Sequence, residues 1–362
     1  AYVRISEYLV GDGPASLDAL ETAISLNPNL YEAHLEMGVG TLSYLLPWTE
    51  AVEHLDRAVE IEPLSIEAAI VLVEFLSFVP YRWEEAETII DNMVLREPES
   101  VDVKLIRAQW LLNPLGRPSE AIPILEQILV TDPDHYWARS FLAKAWFMVG
   151  ETERAARMPG GIIHWRYVLA EDREEALRQL REIPPAPPQI DYGRRIVSSY
   201  AHAMLRDWQG VIDLLKEDAQ DLNHFTSTYA ENMVLNEAPE ISLAVAYRAL
   251  GMEDKYREFA GLARKAVDIR TDHGKLHNIE YSRSMARLLA LEGNHYEAML
   301  ELERLISQGP VDPRELLHPA FDEMRDMPQF EKLVRLQRER VNRERENLGL
   351  APRGDSFPRV SS

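Results

Sequence analysis

Four prolines, Pro28, Pro63, Pro98 and Pro133, stand 35 residues apart, and each closes a similar phrase: AISLNP, AVEIEP, MVLREP and ILVTDP. A second beat keeps the same period, since Ala51, Ala86 and Ala121 are also 35 apart and each follows a glutamate. Two landmarks sharing one period of this length imply stacked supersecondary units, none of which buries a core alone. Proline lacks an amide hydrogen and pushes the preceding residue out of helical geometry, so each X-Pro predicts a helix stop.

Inside the period the pattern is helical. YEAHLEMGVGTLSYL places Ala33, Met37, Gly38 and Thr41 on roughly one face, and EAVEHLDRAVEI places Ala51, Leu55, Ala58 and Val59 at helical spacing with acidic flanks. Ala33 and Gly38 leave room for a neighbouring backbone to approach. The unit reads as helix, short turn, helix, proline stop. Residues 1–28 hold the same pattern in abbreviated form, with a break at GDGP before SLDALETAISL.

These features resemble the tetratricopeptide repeat, which has a small residue in its first helix, two alanines in its second and a terminal proline. Gly38, Ala108 and Ala143 stand at the small first-helix position, with Val73 a departure. Ala51, Ala86, Ala121 and Ala155 take the first alanine. Ala58 takes the second, where Met93 and Ile128 depart and predict looser packing. The extra residue of each repeat falls in the turns YLLPW, FVPYRW and NPLGRP. The resemblance implies an all-α, right-handed superhelical solenoid of helix-turn-helix hairpins.

After YWARSFLAKAWFMVGETERAA the beat fails at Pro159-Gly160-Gly161. Residues 162–183 read as one helix or two short ones, and the following PPAPP reads as an extended spacer. This stretch is either a connector inside one continuous solenoid or a hinge between two arrays. Helical pairs then resume: 194–217 turning near Arg206-Asp207, 242–267 turning at Gly251, and 282–306 turning at Gly293. Phe321, Met324, Phe330, Leu333 and Val334 are placed to cover the last pair, and the Arg-rich run 335–349 reads as a solvated helical cap. The organisation is therefore a regular array over 1–158, a connector over 159–190, divergent hairpins over 191–310, and a cap and tail over 311–362.

Composition narrows the function. Net charge is −21, of which residues 1–150 carry −15, and such a field repels nucleic-acid backbones. Apolar runs such as AAIVLV are far shorter than the ~20 residues a membrane helix needs. The absence of cysteine excludes disulfides and thiolate metal sites, and fits cytoplasm, the expected compartment, as well as periplasm. The chain begins at Ala1, as expected of a piece of a longer protein or one that has lost a leader.

Catalytic motifs are scarce: no GxxxxGK[ST], GxSxG or HExxH stretch occurs. Gly38-Val39-Gly40 lacks the third glycine and preceding strand of a nucleotide site and reads as a tight helix contact. His273 and His277 would share a face if helical, but Gly274 weakens that helix and no third ligand is identified. No catalytic residue, cofactor or metal is assigned. The tryptophans, Trp48, Trp83, Trp110 and Trp146 among them, read mostly as packing.

In the tetratricopeptide family the first helices line a concave groove. Carried over by repeat position, this implies a lining of Glu32, Val39 and Ser43; Glu67, Glu74 and Phe78; Asp102, Gln109 and Asn113; and Trp137, Lys144 and Met148. The set is acidic at its N-terminal end and more apolar toward Trp137. It suits a protein segment with spaced Lys or Arg and an apolar anchor, and the same residues also fit a plain solvated surface. The phrase LLHPAFDEMRDMPQFEKLV (316–334) further resembles the end of repeat regions in bacterial regulators that carry class III nucleotide cyclase or winged-helix domains. That resemblance implies a sensor or recruitment region. Two alternatives are an assembly factor of an envelope or secretion complex, and an enzyme with its site in the irregular 160–240 segment.

Overall fold

The computed structural model describes residues 13–40, 48–77, 82–158, 173–182, 188–216, 239–274, 279–308 and 315–354, and no strand occurs among them. The first half comprises α1 (Gly13–Leu26), α2 (Tyr31–Gly40), α3 (Trp48–Ile61), α4 (Ile66–Leu76), α5 (Trp83–Arg96), α6 (Val101–Leu112), α7 (Pro118–Thr131), α8 (Tyr136–Met148) and α9 (Thr152–Ala156). The second half comprises α10 (Arg173–Arg181), α11 (Pro188–Met204), α12 (Trp208–Leu215), α13 (Pro239–Ala249), α14 (Glu253–Gly274), α15 (Ile279–Leu291), α16 (His295–Gln308), two 3-10 turns (Glu315–Leu317 and Pro319–Met324) and α17 (Pro328–Asn347). The all-α array of helical hairpins expected from the period is what these residues form.

The proline beat has a direct structural cause. In each of the four junctions the residue two after the proline donates its amide to the carbonyl just before it: Leu30 to Asn27 (3.1 Å), Ser65 to Glu62 (3.0 Å), Ser100 to Glu97 (3.1 Å) and His135 to Asp132 (3.2 Å). Proline thus occupies the second position of a β-turn, where its fixed φ is already correct. At three junctions the last turn residue also caps the next helix: Ser65 accepts from the Ala68 amide, Ser100 from that of Val103, and His135 Nδ1 from that of Ala138.

Packing follows the small residues. Ala51, Ala58, Ala86, Ala108 and Ala121 are fully buried. Met93 and Ile128 are each only 1% exposed, so the looser packing expected at these two departures is absent. Trp110 and Trp146 are core residues, and Trp83 meets Trp110 edge to face at 6.2 Å. One apolar cluster runs from α2 to α6, a second from α6 to α9, a third from α11 to α15, and a fourth joins α15 and α16 to the 3-10 turns and α17. Neighbour-to-neighbour cores of this kind are the signature of a solenoid.

The second half turns its hairpins differently. Gly251 (φ 70°) and Gly293 (φ 80°) close left-handed caps, as Gly150 (φ 76°) does at the end of α8. The α11–α12 turn places Arg206 in the same region (φ 57°), and Arg206 is held there by Asp322 at 2.5 and 3.0 Å. Phe321, Met324, Phe330 and Leu333 do cover the α15–α16 pair, with Val334 packed beside them. The far end of α17 is not a solvated cap. It returns to α7, and Gln337 and Arg345 are buried.

The helix contact that most limits substitution is at Gly38, where an added Cβ would overlap the side chain of fully buried Leu55. Replacing Gly38 by alanine gains about 1 kcal/mol of helix propensity, against ~1–3 kcal/mol for overpacking. The expected outcome for Gly38→Ala is net destabilisation of about 1 kcal/mol by urea unfolding; a stabilised variant would contradict the close approach.

Candidate functional site: the inner face of the first helices

The first helices of successive hairpins, α2, α4, α6 and α8, pack on one another, while each second helix lies between its own first helix and the next. The first helices therefore share one side of the array. Glu32, Glu67 and Asp102 sit in the first turns of α2, α4 and α6, one per hairpin, with Glu32 and Asp102 exposed and Glu67 half-buried. A carboxylate there faces the positive end of its own helix, which stabilises its charge and makes it part of the helix start as well as of the surface. Trp137 takes the equivalent place on α8, stacked on Phe141 at 6.0 Å and edge-on to Tyr136 at 5.2 Å.

One helical level further along, Glu74, Gln109 and Lys144 are all half-buried. Lys144 Nζ donates to Asn113 Oδ1 at 2.7 Å, so two of the mapped residues meet directly and tie α8 to the end of α6. The mapped cation is thus engaged within the array itself. Val39 and Met148 do not line the face: at 8% and 3% exposure they belong to the cores beneath it. Ser43, Phe78, His277 and the stretch 159–172 lie outside the described residues, as does the side chain of His273. Among the described residues no group of three or more potential ligands could hold a metal ion.

A polar core in the second half escaped sequence reasoning. Arg287 on α15, 1% exposed, binds Glu315 Oε1 through Nη2 at 2.7 Å and Nε at 2.9 Å. Arg283, one turn earlier, places Nε 2.7 Å from Glu315 Oε2. The Arg287 guanidinium also lies 5.4 Å from the ring of Tyr200 on α11, and Tyr200 stacks on buried His318 at 5.8 Å. His318 Nδ1 accepts from the Ala320 amide, which puts the proton of a neutral ring on Nε2. The sequence signal was a pair of arginines one turn apart in a helix whose later part, Ser284–Leu291, is otherwise small and apolar. With its charges buried and mutually paired, the cluster braces α11, α15 and the 3-10 turns; a buried ion pair of this kind costs much to break and stabilises little over an apolar core.

Two histidines report on the surroundings. His34 Nε2 faces the Pro28 carbonyl at 3.1 Å and must donate to it, so a neutral His34 accepts at Nδ1 from His54 Nδ1, 2.9 Å away. Burial, and secondarily His34, hold His54 below the ordinary imidazole pKa. His202 is lowered too: burial outweighs the opposing hydrogen bond to Asp207 (2.8 Å). Burial alone would raise Asp207, but that hydrogen bond and the His202 charge, with the Gly210 amide and Arg181, lower it.

Residues 115–158 match the tetratricopeptide repeat family. This segment is a tetratricopeptide repeat. It takes in the turn before α7 and runs to the end of the described first half, and the hairpins before it keep the same 35-residue period. No curated protein matches the chain significantly. Among solved structures, the chain is similar to one in the APC/C hetero-tetramer Cut9–Hcn1, at 15% identity and a TM-score of 0.40, covering 88% of this chain and 58% of that one. It is also similar to the P58(IPK) TPR domain, at 16% identity and a TM-score of 0.20, over 96% of this chain and 87% of that one. Neither likeness is close enough to locate a binding surface.

The lowered histidines set a sign for pH dependence. On unfolding, His54 and His202 return toward the reference value of 6.5 and take up protons that the fold resists, so their contribution is present above that pH and lost as pH falls. Asp207 adds a further loss only in more acidic solution, below its reference value of 3.8. The melting temperature is expected to drop between about pH 7.5 and about pH 5.5, and His54→Gln with His202→Gln should flatten that drop.

Proposed function

We propose that this chain is a protein-interaction scaffold whose first half grips a partner segment along the inner face of α2, α4, α6 and α8. The observation that carries the reading is the row Glu32, Glu67 and Asp102, one carboxylate per hairpin, running toward the aromatic pair Trp137–Phe141. The surrounding charge of −15 over residues 1–150 reinforces it, and Lys144, the cation of the set, is held by Asn113. Neighbouring helices lie roughly 10 Å apart, and an extended chain advances ~3.3 Å per residue. A matching partner carries Lys or Arg at about every third position and an apolar side chain at the Trp137 end. Ser43 and Phe78 belong to the same proposed lining.

The proposal extends to context. The phrase at 316–334 supports placing the array as the sensor or recruitment region of a larger bacterial regulator. The assembly-factor alternative draws on Leu26, Leu64, Leu95 and Val130, each more than 70% exposed near the end of a second helix. These stand one per repeat beside exposed carboxylates such as Glu60, Glu97 and Asp132. Single exposed apolar side chains are ordinary on protein surfaces, so the acidic inner face is the stronger feature. No described helix is long and apolar enough to cross a membrane.

The test uses labelled peptides of alternating apolar and basic composition, with acidic counterparts as controls, read by fluorescence polarisation. The basic set should bind, and Glu67→Lys with Glu74→Lys and Asp102→Lys should weaken binding by at least about tenfold, or 1.4 kcal/mol, with helicity by circular dichroism retained. Equal binding of acidic and basic peptides would sink the reading.

A further inference from the structure

Among the described helices, the substantial contact between the two halves is that of α17 with α7. The N-terminal part of α17 is built into the last hairpin by Phe330 and Leu333, 2% and 3% exposed. Its C-terminal part reaches elements more than 190 residues earlier in the chain. A helix of 20 residues spans about 30 Å, so α17 bridges the halves as a strut with two chemically different ends.

The far end is held by complementing helix termini. The residue before α7, Arg117, makes no side-chain cap; instead Glu344 Oε2 accepts from the Ser119 amide at 3.0 Å and from its hydroxyl at 2.6 Å, putting a carboxylate at the positive end of α7. At the negative end of α8, Arg345 Nη1 donates to the Val149 carbonyl at 2.6 Å, and Arg353 donates to that of Gly150. Both guanidiniums also meet Glu151 Oε1, at 2.7 and 3.3 Å. A left-handed cap at Gly349 (φ 69°) reverses the chain after α17, and Asn342 pins the tail through the Arg353 backbone at 2.7 and 3.2 Å. Leu348 and Leu350 add a small apolar contact with the α6–α9 core.

We propose that α17 is a releasable strut: it closes the two helical halves on each other, and its charged end lets go when those charges are screened while its apolar end stays seated. The asymmetry is physical. Ion pairs and charged caps weaken with salt, most at the partly exposed Glu344, Glu151 and Arg353 and least at buried Arg345, whereas burial of Phe330 and Leu333 does not weaken. Release frees Glu151 and the carbonyl end of α8 and lets the halves part, so among the described helices this contact is the one that sets the space between them. None of this rests on the peptide-binding reading.

The chain has no cysteine, so Glu87→Cys on α5 and Asp254→Cys on α14 would carry the only two spin labels, one per half, at exposed positions. Pulsed electron resonance on the full chain should give one narrow distance at low salt. High salt should add a longer second population, and Arg345→Ala with Arg353→Ala should make it dominant, with helicity by circular dichroism unchanged. If that double variant loses helicity, Ser119→Ala with Glu344→Ala removes only the half-exposed cap, and should show the longer population growing with salt. A single unshifted distance in the helical variants at both salt levels overturns the proposal.

Discussion

The first half depends on one short turn repeated four times. In Asn27–Leu30, Glu62–Ser65, Glu97–Ser100 and Asp132–His135 the same amide-to-carbonyl bond closes over a proline at the second position. Because the turn has one length and one shape, the next helix always starts three residues after the proline, at Tyr31, Ile66, Val101 or Tyr136. An α-helix advances about 100° per residue. A single inserted residue would swing Ala51 or Ala86 out of the interface and bring a larger neighbour in. The small residues keep their places because the turn keeps its length.

The second half meets the same requirement with other chemistry. Its hairpins close on left-handed caps at Arg206, Gly251 and Gly293, and its core is braced by Arg287, Arg283 and Glu315 as well as by buried alanines such as Ala244, Ala263 and Ala298. A non-glycine residue in left-handed geometry is strained by roughly 1 kcal/mol or more, and Arg206 stays there because Asp322 holds its guanidinium. A solenoid whose units touch only neighbours has additive, local stability. The α17 strut departs from that scheme by joining Ser119 and Glu151 to residues near the end of the chain.

Glu32, Glu67 and Asp102 were legible as a row because they share a repeat position, and a fixed period carries one helix's orientation to the next. Val39 and Met148 were misplaced on the same argument. Position along a helix fixes direction only to within a fraction of a turn, and both side chains fall on the core side of that margin. The Lys144–Asn113 bond was hidden for another reason: the repeat position places each residue on its own helix, but their spacing across two helices depends on how closely α6 and α8 approach.

The sequence by itself determined where the helices of the first half stop, which residues cap them and which small side chains meet. All of these follow from forces acting within a few residues: proline sterics, turn hydrogen bonds and amphipathic spacing. Tertiary structure alone decided which charges would be buried. Arg287 with Glu315 and Arg345 with Glu151 read as ordinary solvated groups along the chain, because a charge can leave water only when a partner is brought to it, and their partners lie 28 and 194 residues away. The end of α17 therefore read as a cap facing water, and became a strut once α7 and α8 presented their unpaired helix ends to it.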